Sequence, residues 1–456
     1  MTLRIDDPAW PAVADEALAD LQTLLRFPTV NPPGDEGPAA DWIEARLREE
    51  GIDVERLDDG PRANVVARIP GSGSGGGPLL LAGHIDVVPV EREHWVCDPF
   101  GGEIRDGYLY GRGAVDMKNM VVMCMTALRL AKRSGRTPTR DLVFAAVADE
   151  EEGCQHGSRY LVENHPEKVR AEYMIGEIGG FSQDILGKRY YPIQIAEKGT
   201  CRIRLTAKGD PGHGSMPHDT QAVVRLAQAL DLLGRTPLPV HITDAFRAFV
   251  RALAAEQRAP LSRVLGLLEH ASSAGLVVDR LLPDKKLART LSANLRNTVT
   301  PTLLSAGSKI NLIPASAEAT LDGRLLPGQS AYQLVQELRD LIGPAIDIEV
   351  IESHPGREEL ADDPLYAAIC DNIRRHDPEG IPLPTPIPGF TDARYFGKLG
   401  ARCYGYSPLR FPREDKVVFS ELFHGHNERI HVEGFQWGLG CLWDLVARFI
   451  GLGPAR

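Results

Sequence analysis

No stretch of this sequence reaches the roughly 18 consecutive apolar residues that a membrane-spanning helix needs, so no span is expected. The first residues, MTLRIDDPAWPAVADEA, lack the apolar segment of a secretory signal peptide. Cysteine is scarce. The seven thiols (Cys97, Cys124, Cys154, Cys201, Cys370, Cys403 and Cys441) are scattered, odd in number and free of any CxxC. That pattern argues against a disulfide framework and for a reduced, cytosolic protein. Positive charge is also in deficit. With 51 basic against 62 acidic residues the net charge is −11, and no basic cluster overrides it, so a nucleic-acid footprint is excluded. Internal repeats are absent, and the only low-complexity segment is GSGSGGG at 71–77.

What remains is an ordinary globular composition, 43% apolar and 25% charged, in a chain of 456 residues, long enough for two or three domains. Leu18, Leu21 and Leu25 recur at helical spacing, as do Ile43 and Leu47 before Gly51. Short β-type runs follow: NVVARI (64–69), LLLAG (79–83), LVFAAVA (142–148) and EYMIG (172–176), with the helical MVVMCMTALRLAKRSG between the second and third. Continuous apolar strands interleaved with helices predict an α/β domain with a mostly parallel sheet flanked by helices. The glycine run reads as a mobile loop between adjacent strands rather than a linker. Near residue 198 the texture changes. CRIRLTAKG, AEATLDGRLL and IDIEV alternate apolar and polar residues, and two helical patterns lie among them. This predicts an inserted α+β domain of βαββαβ type, with strands wet on one face. The expected division is 1–197 with 356–456 for the first domain and 198–355 for the insert, which itself carries a helical insertion at 244–297.

Two polar residues, His84 and Asp86, end the oily run LLLAGHID. Burying such groups without partners costs roughly 2–7 kcal/mol for a neutral polar group and more for a charge. Other strands end in the same way: Glu150, Glu151 and Glu152 follow LVFAAVA, and Glu177 follows EYMIG. The C-terminal ends of such strands are where open α/β sheets place ligands. Asp116 lies in YGRGAVDMK after a glycine-rich turn, and His424 lies in FHGHNERI. Several acids converging without a cation would repel and raise one another's pKa values. A metal cluster removes the conflict. Carboxylate and imidazole together favour zinc, with manganese or cobalt as alternatives.

GHIDVVP, YGRGAVDMK, ADEEEG, GEIGG, GHGSMP, NLIP, DGRLLPG and HGHNER, in this order, resemble the co-catalytic metallohydrolase family of aminoacylase-1, glutamate carboxypeptidase G, acetylornithine deacetylase and succinyl-diaminopimelate desuccinylase. The likeness runs from about residue 20 to 445. It implies two divalent ions, one held by His84 and Glu177, the other by Glu151 and His424, with Asp116 bridging both and a cis peptide between Asp116 and Met117. It implies that Asp86 orients the His84 imidazole and that Glu150 is the general base. Extended backbone would turn Glu150 and Glu151 to opposite sides. Glu152 has no counterpart and is expected in solvent; His426 could stand beside the ligands or in solvent. His213, in DPGHGSMPH, is implied to hydrogen-bond the oxyanion, in many relatives from a dimer mate. Asn311 and Arg324 match carboxylate-binding residues, although a turn-capping Asn and a strand-edge Arg would look the same in sequence. Gly389 and Thr391 match a loop beside the substrate, where Phe390 departs from the usual small residue.

Glu at position 177 goes, in this family, with carboxypeptidases and deacylases more than with dipeptidases. The expected function is therefore hydrolysis of an amide to release a free amino acid, by an N-acyl-amino-acid amidohydrolase or a carboxypeptidase. The insertion at 244–297 exceeds that of the smaller deacetylases and is similar to that of the large-lid Gly-X carboxypeptidase and N-fatty-acyl-amino-acid hydrolase branch. A dipeptidase is the alternative within the same chemistry, and a metal-free scaffold is the alternative outside it. The partner is a small substrate with a free carboxylate, and the resemblance allows a homodimer through the inserted domain.

Overall fold

The computed structural model describes residues 3–282, 285–415 and 421–453. The chain divides into two compact units. One comprises residues 1–195, 359–383 and 391–456, and the other 196–358 with 384–390. Two positions of the helical insertion, 283 and 284, lie outside the described residues.

The first unit is built on a sheet ordered Asp53–Asp59, Arg62–Ile69, Leu142–Val147, Leu79–His84, Tyr173–Gly176, Arg402–Gly405, Lys188–Glu197. Its centre is parallel: Leu79–His84 runs alongside both Leu142–Val147 and Tyr173–Gly176, and Arg402–Gly405 alongside Tyr173–Gly176. Its margins are antiparallel. The central strands are buried along their whole length, as continuous apolar runs require when helices cover both faces. Helix Lys118–Arg133 is buried from Lys118 to Ala131, packed on strand Leu79–His84 and against helices Trp10–Leu25 and Val432–Phe449. Of its buried cations, Arg129 donates to Asp20 at 2.8 Å and Glu50 at 3.2 Å.

The glycine run differs from expectation. The strands on either side of it in sequence are not neighbours in the sheet, because Leu142–Val147 lies between them. Nor does it hang free. Gly71 N–H donates to Asp141 at 2.8 Å and Gly77 N–H to Glu172 at 2.7 Å, while Gly75 N–H donates to the Thr139 carbonyl at 2.8 Å. A Cβ on Gly71 would stand 2.3 Å from the Arg140 carbonyl carbon. The glycines therefore permit close backbone approach rather than mobility.

The second unit follows the order strand, helix, strand, strand, helix, strand: Gly199–Lys208, Ala222–Arg235, Thr298–Ala306, Ser316–Leu325, Ala331–Ile342, Ile346–His354. Sheet order is Thr298–Ala306, Ser316–Leu325, Gly199–Lys208, Ile346–His354, all antiparallel. Ile203 faces Leu321 and Leu205 faces Ala319 in register. Their inward side chains form one core with Leu226 and Leu334 of the two helices. Ser330 begins the second helix with a reciprocal capping box to Gln333. The insertion at 244–297 forms helices Asp244–Ala255, Leu261–Gly266, Ala271–Leu276 and Lys285–Leu295.

Candidate metal centre

The parallel strands of the first unit bring their terminal side chains to one place. His84 Nε2 lies 3.1 Å from Asp116 Oδ1 and 3.6 Å from Glu177 Oε2. His424 Nε2 lies 3.3 Å from Asp116 Oδ2 and 3.1 Å from Glu151 Oε2. In each trio the donor atoms all lie within 4.8 Å of one another, close enough to share an ion. Asp116 belongs to both trios and offers a different oxygen to each. Its peptide bond to Met117 is cis.

The imidazole of His84 is held in the orientation that a ligand needs. Its Nδ1 lies 3.0 Å from the Asp86 carbonyl, a pure acceptor, so Nδ1 carries a proton and Nε2 is the nitrogen turned to Asp116 and Glu177. The Asp86 carboxylate stands farther off, at 3.5 Å. Its oxygens are engaged elsewhere, accepting the N–H groups of Glu150 and Glu151, each at 3.1 Å, and the Asn31 amide at 2.9 Å. The Asp86 carboxylate thus fastens the glutamate pair, and the Asp86 carbonyl the histidine. The glutamates themselves sit in a turn, closed by Gly153 N–H to the Glu150 carbonyl at 3.0 Å, not on the extended backbone expected. That turn sends Glu151 to His424 and leaves Glu150, 8% exposed, outside both trios. Glu152 is exposed.

Sequence reasoning missed Glu428. Its fully buried carboxylate accepts the N–H groups of Gly113, Val115 and Asp116 at 3.1, 2.8 and 3.1 Å and pairs with Arg112 at 2.6 Å. It thereby fixes the turn that delivers Asp116, from a position four residues beyond His424. Asp392 was missed too. It is buried, takes a hydrogen bond from Ser158 Oγ at 2.5 Å, and its charge reaches Glu150. The neighbouring signals, HGHNER and TDAR, were visible, but no local pattern marks which acid in them turns inward.

Electrostatics test whether a cation fits. Burial pushes the Glu177 carboxyl up to about 7, and burial with the Glu177 charge raises Glu150 well above the usual carboxylate range. Burial and the Asp116 charge raise Glu151. Asp116 goes the other way: although burial opposes it, hydrogen bonds from His424 and His84 hold it low. His424 is raised to about 10 by Asp116 and Glu151. Two imidazole nitrogens and three carboxylates in two open trios are a donor set suited to borderline divalent ions.

The remaining predicted residues divide between the units. Thr391, in the first, is buried, and its hydroxyl accepts the Ala393 N–H at 3.2 Å at the start of a short helix. His213, Asn311, Arg324 and Gly389 lie in the second. His213 is exposed, on a short ladder with Leu312, and the Asn311 carbonyl accepts the Gly214 N–H at 2.9 Å, so His213 and Asn311 are brought together. His213 Nδ1 accepts the Ser215 N–H at 3.3 Å, which puts the proton on Nε2. Arg324 is committed in part. Its Nε and Nη2 donate to the two oxygens of Asp322 at 2.8 and 2.9 Å, and its guanidinium lies 5.5 Å from the centre of the Phe390 ring. The Gly389 carbonyl accepts the Lys198 N–H at 3.0 Å, and a Cβ on Gly389 would meet nothing within 4 Å. His426 is exposed.

The sequence model of Peptidase family M20/M25/M40 matches residues 80–448. The chain belongs to that family. Pig aminoacylase-1 is 27% identical over 434 residues, covering 93% of this chain and 92% of the relative. The mouse N-fatty-acyl-amino acid synthase/hydrolase PM20D1 is 29% identical over 380 residues, 81% of this chain and 73% of the relative. In fold, the M20 family metallo-carboxypeptidase Sso-CP2 from Sulfolobus solfataricus matches with a TM-score of 0.70 at 18% identity, over 96% of this chain and all of that one. The Bacillus subtilis YXEP protein, a dinuclear metal binding peptidase, matches at 0.61 and 13% identity over 97% and 99%. As an M20-family member the chain is a metal-dependent amide-bond hydrolase acting on small molecules. Among the described residues no helix is long and apolar enough to cross a membrane.

Proposed function

We propose that this chain hydrolyses the amide bond of an N-acyl amino acid, or the last bond of a short peptide, and releases a free amino acid. The observation that carries the reading is Asp116, whose two oxygens face two separate histidine–carboxylate pairs. This supports one ion on His84, Glu177 and Asp116 and a second on Glu151, His424 and Asp116, zinc in the first instance, with manganese or cobalt as alternatives. Bound there, the pair supplies polarisation of the scissile carbonyl and a lowered pKa for the attacking water. Glu150, beside the trios but in neither, takes the proton from that water and delivers it to the leaving amine. Asp86 holds the Glu150–Glu151 turn in place through its two N–H acceptors. His213, protonated on Nε2, donates to the developing oxyanion. Asn311 and Arg324 take the substrate carboxylate, with the Nη1 edge of Arg324 free of its bond to Asp322. Gly389 and Thr391 belong to the loop beside the substrate.

Glu rather than Asp at position 177, together with the names of the aminoacylase and N-fatty-acyl-amino acid relatives, favours an acyl amino acid over a dipeptide. The compartment is proposed as cytosolic. Two copies are proposed to pair through the edge strand Thr298–Ala306, where Leu303 and Leu304 are about two-thirds exposed, at 67% and 69%.

The test is hydrolysis of a panel of N-acyl amino acids, including long-chain acyl groups, and of dipeptides, by protein stripped of metal and then given zinc, manganese or cobalt. N-acyl amino acids with a free carboxylate should turn over fastest. Faster dipeptide hydrolysis would make it a dipeptidase, and equal rates with and without metal would sink the mechanism. Mixing His213→Ala with Glu150→Ala chains should restore activity if His213 acts across a dimer.

A further inference from the structure

Outside the centre just described, a third group of potential ligands stands on the surface of the first unit: Glu91, His94 and His426. His94 Nε2 lies 3.7 Å from Glu91 Oε2, and His426 Nε2 lies 3.5 Å from the same oxygen. These separations are too long for N–H···O hydrogen bonds, which run about 2.7–3.2 Å. They suit a shared ion, since bonds of roughly 2.0–2.2 Å in a tetrahedral arrangement set ligand atoms roughly 3.3–3.6 Å apart. They also resemble the spacings of the two inner trios, 3.1 to 3.6 Å.

The arrangement is built rather than accidental. Glu91 precedes the one-turn helix Arg92–His94, and the His94 N–H donates to its carbonyl at 3.0 Å. That bond closes the turn and brings the Glu91 and His94 side chains near each other. His426 comes from a loop more than 300 residues away, fastened to the first by Asn427. That side chain accepts the Val96 N–H at 2.8 Å and donates to the His94 carbonyl at 3.2 Å. The two imidazole rings lie with centroids 4.8 Å apart. Both histidines thus aim Nε2 at one carboxylate oxygen from loops whose mutual position is fixed by other bonds.

We propose that Glu91, His94 and His426 form a third divalent-cation site, separate from the inner pair, for an ion of the zinc, nickel or copper class. Two neutral imidazoles and one carboxylate supply three of its ligands, and water completes the shell. Because the three side chains are 66%, 57% and 49% exposed, the ion exchanges with solvent more readily than the inner ones. His426 stands two residues from His424, so an ion here also ties the His424 loop to the segment 91–96.

The experiment counts ions. Full-length protein is dialysed to equilibrium against excess zinc, and bound zinc is measured by elemental analysis in wild type, in Glu91→Gln with His94→Gln, and in His426→Gln. The expected result is one ion fewer in each variant than in wild type, with hydrolytic activity retained in the Glu91→Gln/His94→Gln protein. Equal zinc content in wild type and variants overturns the proposal. The difference between proteins is the readout, so it stands or falls whatever number of ions the inner centre holds. Circular dichroism checks that each variant is folded, which the exposure of these positions favours. If His426→Gln alone misfolds, the double variant still decides the matter.

Discussion

Along Leu79–His84 every residue is buried, whereas along Gly199–Lys208 burial alternates with exposure. In the second unit the outward face carries a solvated ladder, with Arg204 to Glu349 at 2.9 Å and Lys208 to Asp347 at 2.6 Å. In the first, charge is withheld from the three central strands and gathered past their ends, where Asp86, Glu150 and Glu177 are all under a tenth exposed. A wet ladder contributes little in either direction. A buried cluster of acids is costly until something positive joins it. The second unit thus leaves its charges in solvent, while the first buries acids whose cost depends on what joins them.

Four measurements would break or sharpen that contrast. Glu150→Gln should lower kcat by about 10²–10⁴-fold while leaving bound metal unchanged, because in the proposed mechanism the substitution removes a base and no ligand; a matching loss of metal would move Glu150 into the cages. Leu205→Ala, at a fully buried position of the second core, should cost about 2–5 kcal/mol in urea unfolding without changing ion content. Stripping metal with a chelator should cost roughly 3–4 kcal/mol when ions had been present at about 100–1,000 times their Kd. That cost should depend on pH with a definite sign. Glu177 rises from its ordinary 4.5 to about 7 in the metal-free fold, so between those values the folded chain binds more protons than the unfolded one. Metal-free stability therefore falls as pH rises through this window, whereas ion affinity rises as the competing proton leaves. The gap in Tm between loaded and stripped protein should widen with pH, and a constant gap would deny the carboxylates their part. Smallest of all, Arg204→Ala should change stability by no more than about 1 kcal/mol, less at high salt.

The same contrast explains what could be read from the chain. Apolar runs that stop abruptly at His84 and Glu177 announced both the strands and the residues at their ends, because a buried strand leaves no other place for polar groups. Alternation in CRIRLTAKG announced the open face of the second sheet. Strand order was not written locally: GSGSGGG looks the same whether its flanking strands pair or, as here, admit Leu142–Val147 between them. Asp86 was recognisable as a partner of His84 by proximity. That its carbonyl and not its carboxylate takes the nearer contact depends on backbone direction, and the carboxylate's bonds to Glu150 and Glu151 cross 64 and 65 positions of sequence. Glu428 was hidden for the same reason. Its three N–H donors lie more than 300 residues away, and only the closed fold brings them to it.

That last carboxylate sets an order of events. His84, Asp116 and Glu177 are all joined into the chain once 177 residues are made, yet the carboxylate that accepts the amides of the turn presenting Asp116 comes only with residue 428. On the proposed ligand set, cation uptake is accordingly expected of the finished fold and not of the growing chain. A truncated product ending short of this loop would inherit the acids without the cage.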